Sequence, residues 1–179
     1  MSQLRVPVSE SDHIKGNNNA PLTLVEYGDY QCPYCGEAYP ALEELQKRLG
    51  KKLKFVFRNF PLTNTHADAE TAALAAEAAG AQGKFWEMHS ILYKNQSNLK
   101  RDDLIGYAQK IGLDMERFKN DLENKTYQQK VKDDFEGGIR SGVNRTPSFY
   151  VNGEKEDDLD ENKFLEMIKD QEQIQFSKR

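Results

Sequence analysis

"LTLVEYGDYQCPYCGEAYPALEELQKRLG", Leu22 to Gly50, changes character twice within a short span. "LTLVEY" (Leu22 to Tyr27) is β-rich and reads as a buried strand. Two cysteines follow, Cys32 and Cys35, the only two in 179 residues. Pro33 then stands at a natural first helical position, Leu42, Leu45 and Leu49 mark a helix face, and Gly50 ends it. Pro40 falls inside that helix and is expected to kink it. "LKFVFRNF" (Leu53 to Phe60) is a second strand, closed by Pro61. Strand, helix, strand in this order is a βαβ unit, and its two strands should lie parallel.

Outward from this unit the chain divides clearly. The first 20 residues are polar, with "GNNN" (Gly16 to Asn19) as a loop, and read as an N-terminal arm. From Thr65 to Gly142 no strand is legible. An Ala-dense helix runs from Thr65 to Gly80, with Thr65 as its expected cap. Lys84 to Gln96 places Phe85, Met88, His89 and Leu92 at helical spacing. Leu104, Ile105, Tyr107, Ala108 and Ile111 define a third helix, closed by Gly112. Asp114 and Thr126 are read as the caps of a fourth and a fifth. Beyond the block, "SFYV" (Ser148 to Val151) is a strand and Asn152-Gly153 a hairpin turn. A return strand is expected over Glu154 to Glu156, then a last helix with Phe164, Leu165 and Ile168 facing inward.

Composition narrows the function. Charged residues make up 30% and net charge is -4, with both signs mixed along the chain, so nucleic acid and anionic membrane are not expected partners. No segment approaches the roughly 18 apolar residues of a membrane span. The start shows no apolar signal core, so a cytoplasmic setting is expected, with an exported mature form as the alternative.

The cysteine pair carries the chemistry. Cys32 precedes a helix N-terminus, where unpaired N–H groups and the helix dipole favour a thiolate. Cys35 lies one turn on, so the two sulfurs can meet. An exposed Cys32 thiolate could then attack a partner disulfide, and Cys35 could resolve the product. A zinc site would need about four ligands. His13, His66 and His89 are scattered, so no metal is expected. A structural disulfide would close a tiny loop and remove little chain entropy. Two unrelated buried thiols remain the third alternative. His66 and His89 are read as surface or packing residues, Trp86 with Phe85 as a core anchor, and Asp29 as a loop cap or a solvent-facing acid.

"VEYGDYQCPYC" (Val25 to Cys35), with "GVNRTPSFYVNG" (Gly142 to Gly153) far downstream, resembles the DsbA-like branch of the thioredoxin superfamily. The resemblance runs from Leu22 onward and implies a thioredoxin-like α/β fold. A helical insertion would separate an N-terminal βαβ unit from a C-terminal ββα unit. The expected division is residues 1–62 and 143–179 as the thioredoxin-like domain, with 1–20 its arm, and 63–142 as the insertion. By position, it implies Cys32 as attacking thiol and Cys35 as resolving thiol. Thr146-Pro147 would be a cis loop facing them, where the Thr146 backbone receives an extended substrate. Glu26, six residues before Cys32, would be the buried acid beneath the pair, with a raised pKa and a role in carrying the proton of Cys35. The alternative for Glu26 is a strand-end residue facing water. Pro33 and Tyr34 would sit at the substrate rim.

Two departures bear on redox strength. The best-known periplasmic oxidants commonly carry His between the cysteines, whereas here the pair is Pro33-Tyr34, and no signal is visible. "CPYC" is also the glutaredoxin dithiol motif, but those proteins are about half this length and lack the helical block. The expectation is a thiol–disulfide oxidoreductase of intermediate potential, with no dissociable cofactor. It would act on protein thiols and disulfides with an unidentified redox partner, and glutathione is a candidate partner. A glutathione-linked thiol transferase and a non-enzymatic polypeptide-binding holdase are the alternatives.

Overall fold

The computed structural model describes residues 2–178. Its sheet contains β1 (His13–Gly16), β2 (Leu22–Gly28), β3 (Leu53–Asn59), β4 (Ser148–Val151) and β5 (Glu154–Glu156), in the order β1-β3-β2-β4-β5. Helix α1 (Pro33–Leu49) joins β2 to β3, which pair in parallel as the βαβ reading requires. The other pairings are antiparallel. Asn152 and Gly153 both take positive φ, which is the backbone the tight β4–β5 turn demands.

Strand alternation decides which side chains meet which layer. Leu22 and Leu24 of β2, Phe55 and Phe57 of β3, and Phe149 and Val151 of β4 share one buried cluster. The α1 leucines Leu42, Leu45 and Leu49 complete it. Glu26 follows Leu22 and Leu24 at the same period, so it points into this layer. Its neighbours across the sheet are Phe57 and Phe149. The opposite face carries Val25, Tyr27, Val56 and Tyr150 in a second cluster.

The N-terminal segment, read from the sequence as an arm leading into the domain, covers that second face. Leu4 N donates to Gly153 O at 2.8 Å and Lys155 N to Ser2 O at 3.1 Å, at the β5 end of the sheet. Leu4 and Val8 then pack on the second cluster, and β1 adds an edge strand beside β3. The segment thus straps both sheet edges, shielding backbone groups that would otherwise be open to pairing. Arg58 pins it, donating to Asp12 at 2.8 and 2.9 Å, to Val6 O at 2.8 Å and to the Tyr27 hydroxyl at 2.9 Å.

Between β3 and β4 stand α2 (Ala69–Gly80), α3 (Phe85–Lys94), α4 (Arg101–Lys110), α5 (Met115–Glu123) and α6 (Gln128–Arg140). Helix α2 is buried on every side, because its alanines let α3, α4, α5 and α6 approach closely. Asp114 caps α5, accepting from Arg117 N at 3.1 Å. The other two caps need correction. Helix α2 starts after Asp68, because Thr65 N and His66 N are taken by the Leu62 carbonyl in a preceding turn. Helix α6 starts after Tyr127, with Thr126 N bonded to Asp121 O. Pro40 faces outward and does not break α1. The last helix, α7 (Glu161–Ser177), buries Phe164 and Ile168 but leaves Leu165 at 37% exposure, since Leu165 lies a quarter-turn off their common face. No helix among the described residues is long and apolar enough to cross a membrane.

Candidate active site

The turn between β2 and α1 is held by its own acid. Asp29 accepts from Gln31 N at 2.7 Å and Leu62 N at 2.9 Å, and meets His66 Nδ1 at 2.8 Å. Asp29 is buried, so of its two sequence readings the loop cap is the one observed. Cys32 N donates to Asp29 O at 3.1 Å, and Gly36 N closes the first helical turn on Cys32 O at 3.1 Å. Cys32 is therefore the N-cap, with Pro33 as the first helical residue.

Both cysteines are free thiols. Their environments differ sharply. Cys32 is held down to about 5, chiefly because the Cys35 thiol donates to its thiolate. Burial opposes this, while Thr146 and the backbone N–H groups of Cys35 and Tyr34 add to it. Cys35 is pushed far up by burial, by its bond to Cys32 and by the Glu26 charge. The expectation of an openly exposed Cys32 is corrected, for the residue is only 3% accessible. The covering is local, since the Cys32 thiol donates to the Thr146 carbonyl at 3.6 Å.

Thr146-Pro147 is a cis peptide bond, and it lies against Cys32 although the two are 114 positions apart. The Thr146 hydroxyl is buried without a partner, and Thr146 favours the Cys32 thiolate. Glu26 is 1% accessible and neither of its carboxyl oxygens has a partner. Burial first, and then the Cys32 charge, push its pKa up to about 8. Tyr34, between the cysteines, is 69% exposed, and Pro33 beside it is exposed too. The structure thus brings together all seven residues singled out from the sequence.

Two other side chains, Gln96 and Tyr93, lie at the site. Gln96 donates to Tyr30 O at 3.0 Å and to Cys32 O at 2.8 Å. It follows α3 in the polar tract "KNQSN", which has no pattern to mark it. The Tyr93 hydroxyl is buried without a partner, within reach of the Cys35 and Glu26 charges. Tyr93 stands four residues after His89, and helical spacing could have placed it inward. His89 is a core residue, as the packing reading had it. Its Nδ1 pairs with the Tyr30 hydroxyl at 2.8 Å, its ring lies among Phe57, Phe85 and Trp86, and burial pushes its pKa down to about 3.

Comparison with known proteins agrees with this geometry. A family model described as Thioredoxin matches residues 8–170. The crystal structure of oxidised BdbD from Bacillus subtilis is 26% identical, covers 92% of this chain and 95% of its own, and superposes with a TM-score of 0.79. A thioredoxin-like oxidoreductase from Silicibacter pomeroyi is 27% identical, with 92% and 94% coverage and a TM-score of 0.78. The thiol-disulfide exchange protein α-DsbA2 from Wolbachia pipientis, at 18% identity, 90% and 88% coverage and a TM-score of 0.76, shows the same fold. Among curated relatives, Na(+)/H(+) antiporter NhaA 1 of Salinispora arenicola is 46% identical over 85% of this chain. NhaA 3 of Salinispora tropica is 43% identical over the same share. The chain spans only 23% of the length of each of these two relatives. The residues matched, the shared fold and the paired thiols lead to one assignment: the chain belongs to the thioredoxin family.

Proposed function

We propose that the chain exchanges disulfides with protein substrates through Cys32 and Cys35. The observation that carries this is the asymmetry of the pair: one thiol is held down to about 5, the other is pushed far up, and an unpartnered buried acid lies in range. In the reductive direction the Cys32 thiolate attacks a substrate disulfide. One S–S bond breaks, a mixed disulfide forms, and one substrate thiolate leaves. Glu26 takes the proton of Cys35, whose sulfur then attacks that of Cys32. The second substrate thiolate leaves, and the protein is left as the disulfide. The reverse sequence oxidises a substrate dithiol. An unidentified thiol or disulfide partner, with glutathione as the small-thiol candidate, resets the pair, and the thiol poise of the compartment sets the direction.

In this reading Pro33, Tyr34, Thr146 and Pro147 form the substrate-binding rim, and an extended segment lies beside the Thr146 backbone. The helical block of residues 63–142 is an insertion that roofs the site. The thioredoxin-like part is residues 1–62 with 143–179. The test is a pair of variants assayed for exchange with a disulfide-bonded protein. Cys32→Ser should abolish exchange. Cys35→Ser should accumulate mixed disulfides seen by mass spectrometry, because nothing resolves them. Preferential alkylation of Cys35 at limiting reagent would reverse the assignment.

A further inference from the structure

The Gln96 amide reaches across from the helical block to the turn that bears the attacking thiol. Its Nε2 donates to two carbonyls, Tyr30 O at 3.0 Å and Cys32 O at 2.8 Å, one on each side of Gln31. The second of these also accepts the first helical bond, from Gly36 N at 3.1 Å. Gly36 has the space this requires: a Cβ there would sit 2.0 Å from Gln96 Oε1. The chain therefore keeps a glycine in the first turn of α1, against helix propensity, where the Gln96 amide lies.

We propose that Gln96 is a positioning residue for Cys32, fixing by these two hydrogen bonds the turn that presents the attacking sulfur. The proposal rests on the reading of Cys32 as attacking thiol and goes beyond it. Cys32 is held at φ −71° and ψ 123°. Its ψ sets where the next N–H groups point, and those of Tyr34 and Cys35 are the ones that stabilise the thiolate. Pro33 has no N–H to offer, so these two donors cannot be replaced locally. Holding the Cys32 carbonyl holds their direction. Without the clamp the N–H groups drift from the sulfur and the thiolate loses their support.

The experiment reads the rate of Cys32 alkylation by iodoacetamide against pH, which needs no turnover. Gln96→Met keeps the length and bulk of the side chain but removes the donor. It leaves the neighbouring titratable groups, Cys35, Glu26, Asp29 and His66, in place. Its alkylation midpoint should rise by about one pH unit, a tenfold loss of thiolate below the midpoint. A wild-type midpoint in Gln96→Met overturns the proposal, and Gly36→Ala, which displaces the amide while favouring helix, decides it by the same readout if that variant does not fold. Failure of the wild-type protein to exchange disulfides, with the shift intact, would instead count against the proposed function alone.

Discussion

Glu26 and Cys32 pull the stability of the protein in opposite directions as pH changes. Glu26 titrates near 8 in the fold, against 4.5 for an ordinary glutamate. A raised carboxyl means that the native state holds the extra proton, so its contribution is full below 4.5 and is lost as pH rises through 8. Cys32 titrates near 5 against 9.0, so its contribution to the reduced form grows from pH 5 toward 9 and is lost as pH falls through 5. In the reduced protein the two slopes oppose each other. In the disulfide form the Cys32 thiol is gone and the Glu26 slope stands alone. Oxidised wild type should therefore lose about 1.4 kcal/mol of stability per pH unit from pH 4.5 upward, relative to oxidised Glu26→Gln, to a limit below 8 because burial then acts without the Cys32 charge. Urea unfolding of both proteins at pH 5 and pH 8 measures it. Parallel curves would leave Glu26 without the burial assigned to it. The same substitution should slow resolution by Cys35 more than the first attack by Cys32, which stopped-flow assay of the two steps separates.

At the scale of elements, the strap and the sheet show what a sequence can and cannot display. β2, β3 and β4 were legible because each is a run of apolar residues between turn residues, and β5 because Asn152-Gly153 demands a return. β1, "HIKG", has no such run. It is a strand because β3 offers it an edge and because Arg58 fastens Asp12 directly before it. That pair is 3% and 4% exposed, and the Asp12 carboxyl is held below its usual range by bonds from Arg58 and Ser9 N that outweigh its burial. Arg58→Met would leave Asp12 buried without its cation, at a cost of roughly 3–5 kcal/mol. Chemical denaturation should show that loss, while the pH profile of Cys32 alkylation stays at the wild-type position. A simultaneous shift of that profile would mean that strap and active site are coupled, against the layered arrangement described above. Leu165 teaches a smaller version of the same lesson: periodicity marks a helix, but the width of the buried face is decided by what the helix meets.

For the molecule as a whole, the site was more legible than the frame around it. The two cysteines, the acid six residues earlier and Thr146-Pro147 could each be picked out, since their residue types are rare in such settings or tied to a recognisable pattern. Gln96 could not, because a glutamine in a polar tract acquires its role only when α3 is folded against the turn. The same assembly sets the redox poise. The Cys32 thiolate is supported by the helix terminus, Cys35 and Thr146, but Pro33 and Tyr34 bring no positive charge to it. The disulfide should thus be neither as hard to reduce as that of a general reductant nor as easy as that of a strong oxidant.

The central claim is that Cys32 and Cys35 form one redox couple, and its equilibrium with glutathione buffers, read by alkylation mass shift, tests this most directly. The account predicts a single transition in which both thiols disappear together, at a potential between about −270 and about −120 mV. Two cysteines that modify independently, with no intramolecular disulfide at any poise, would contradict it.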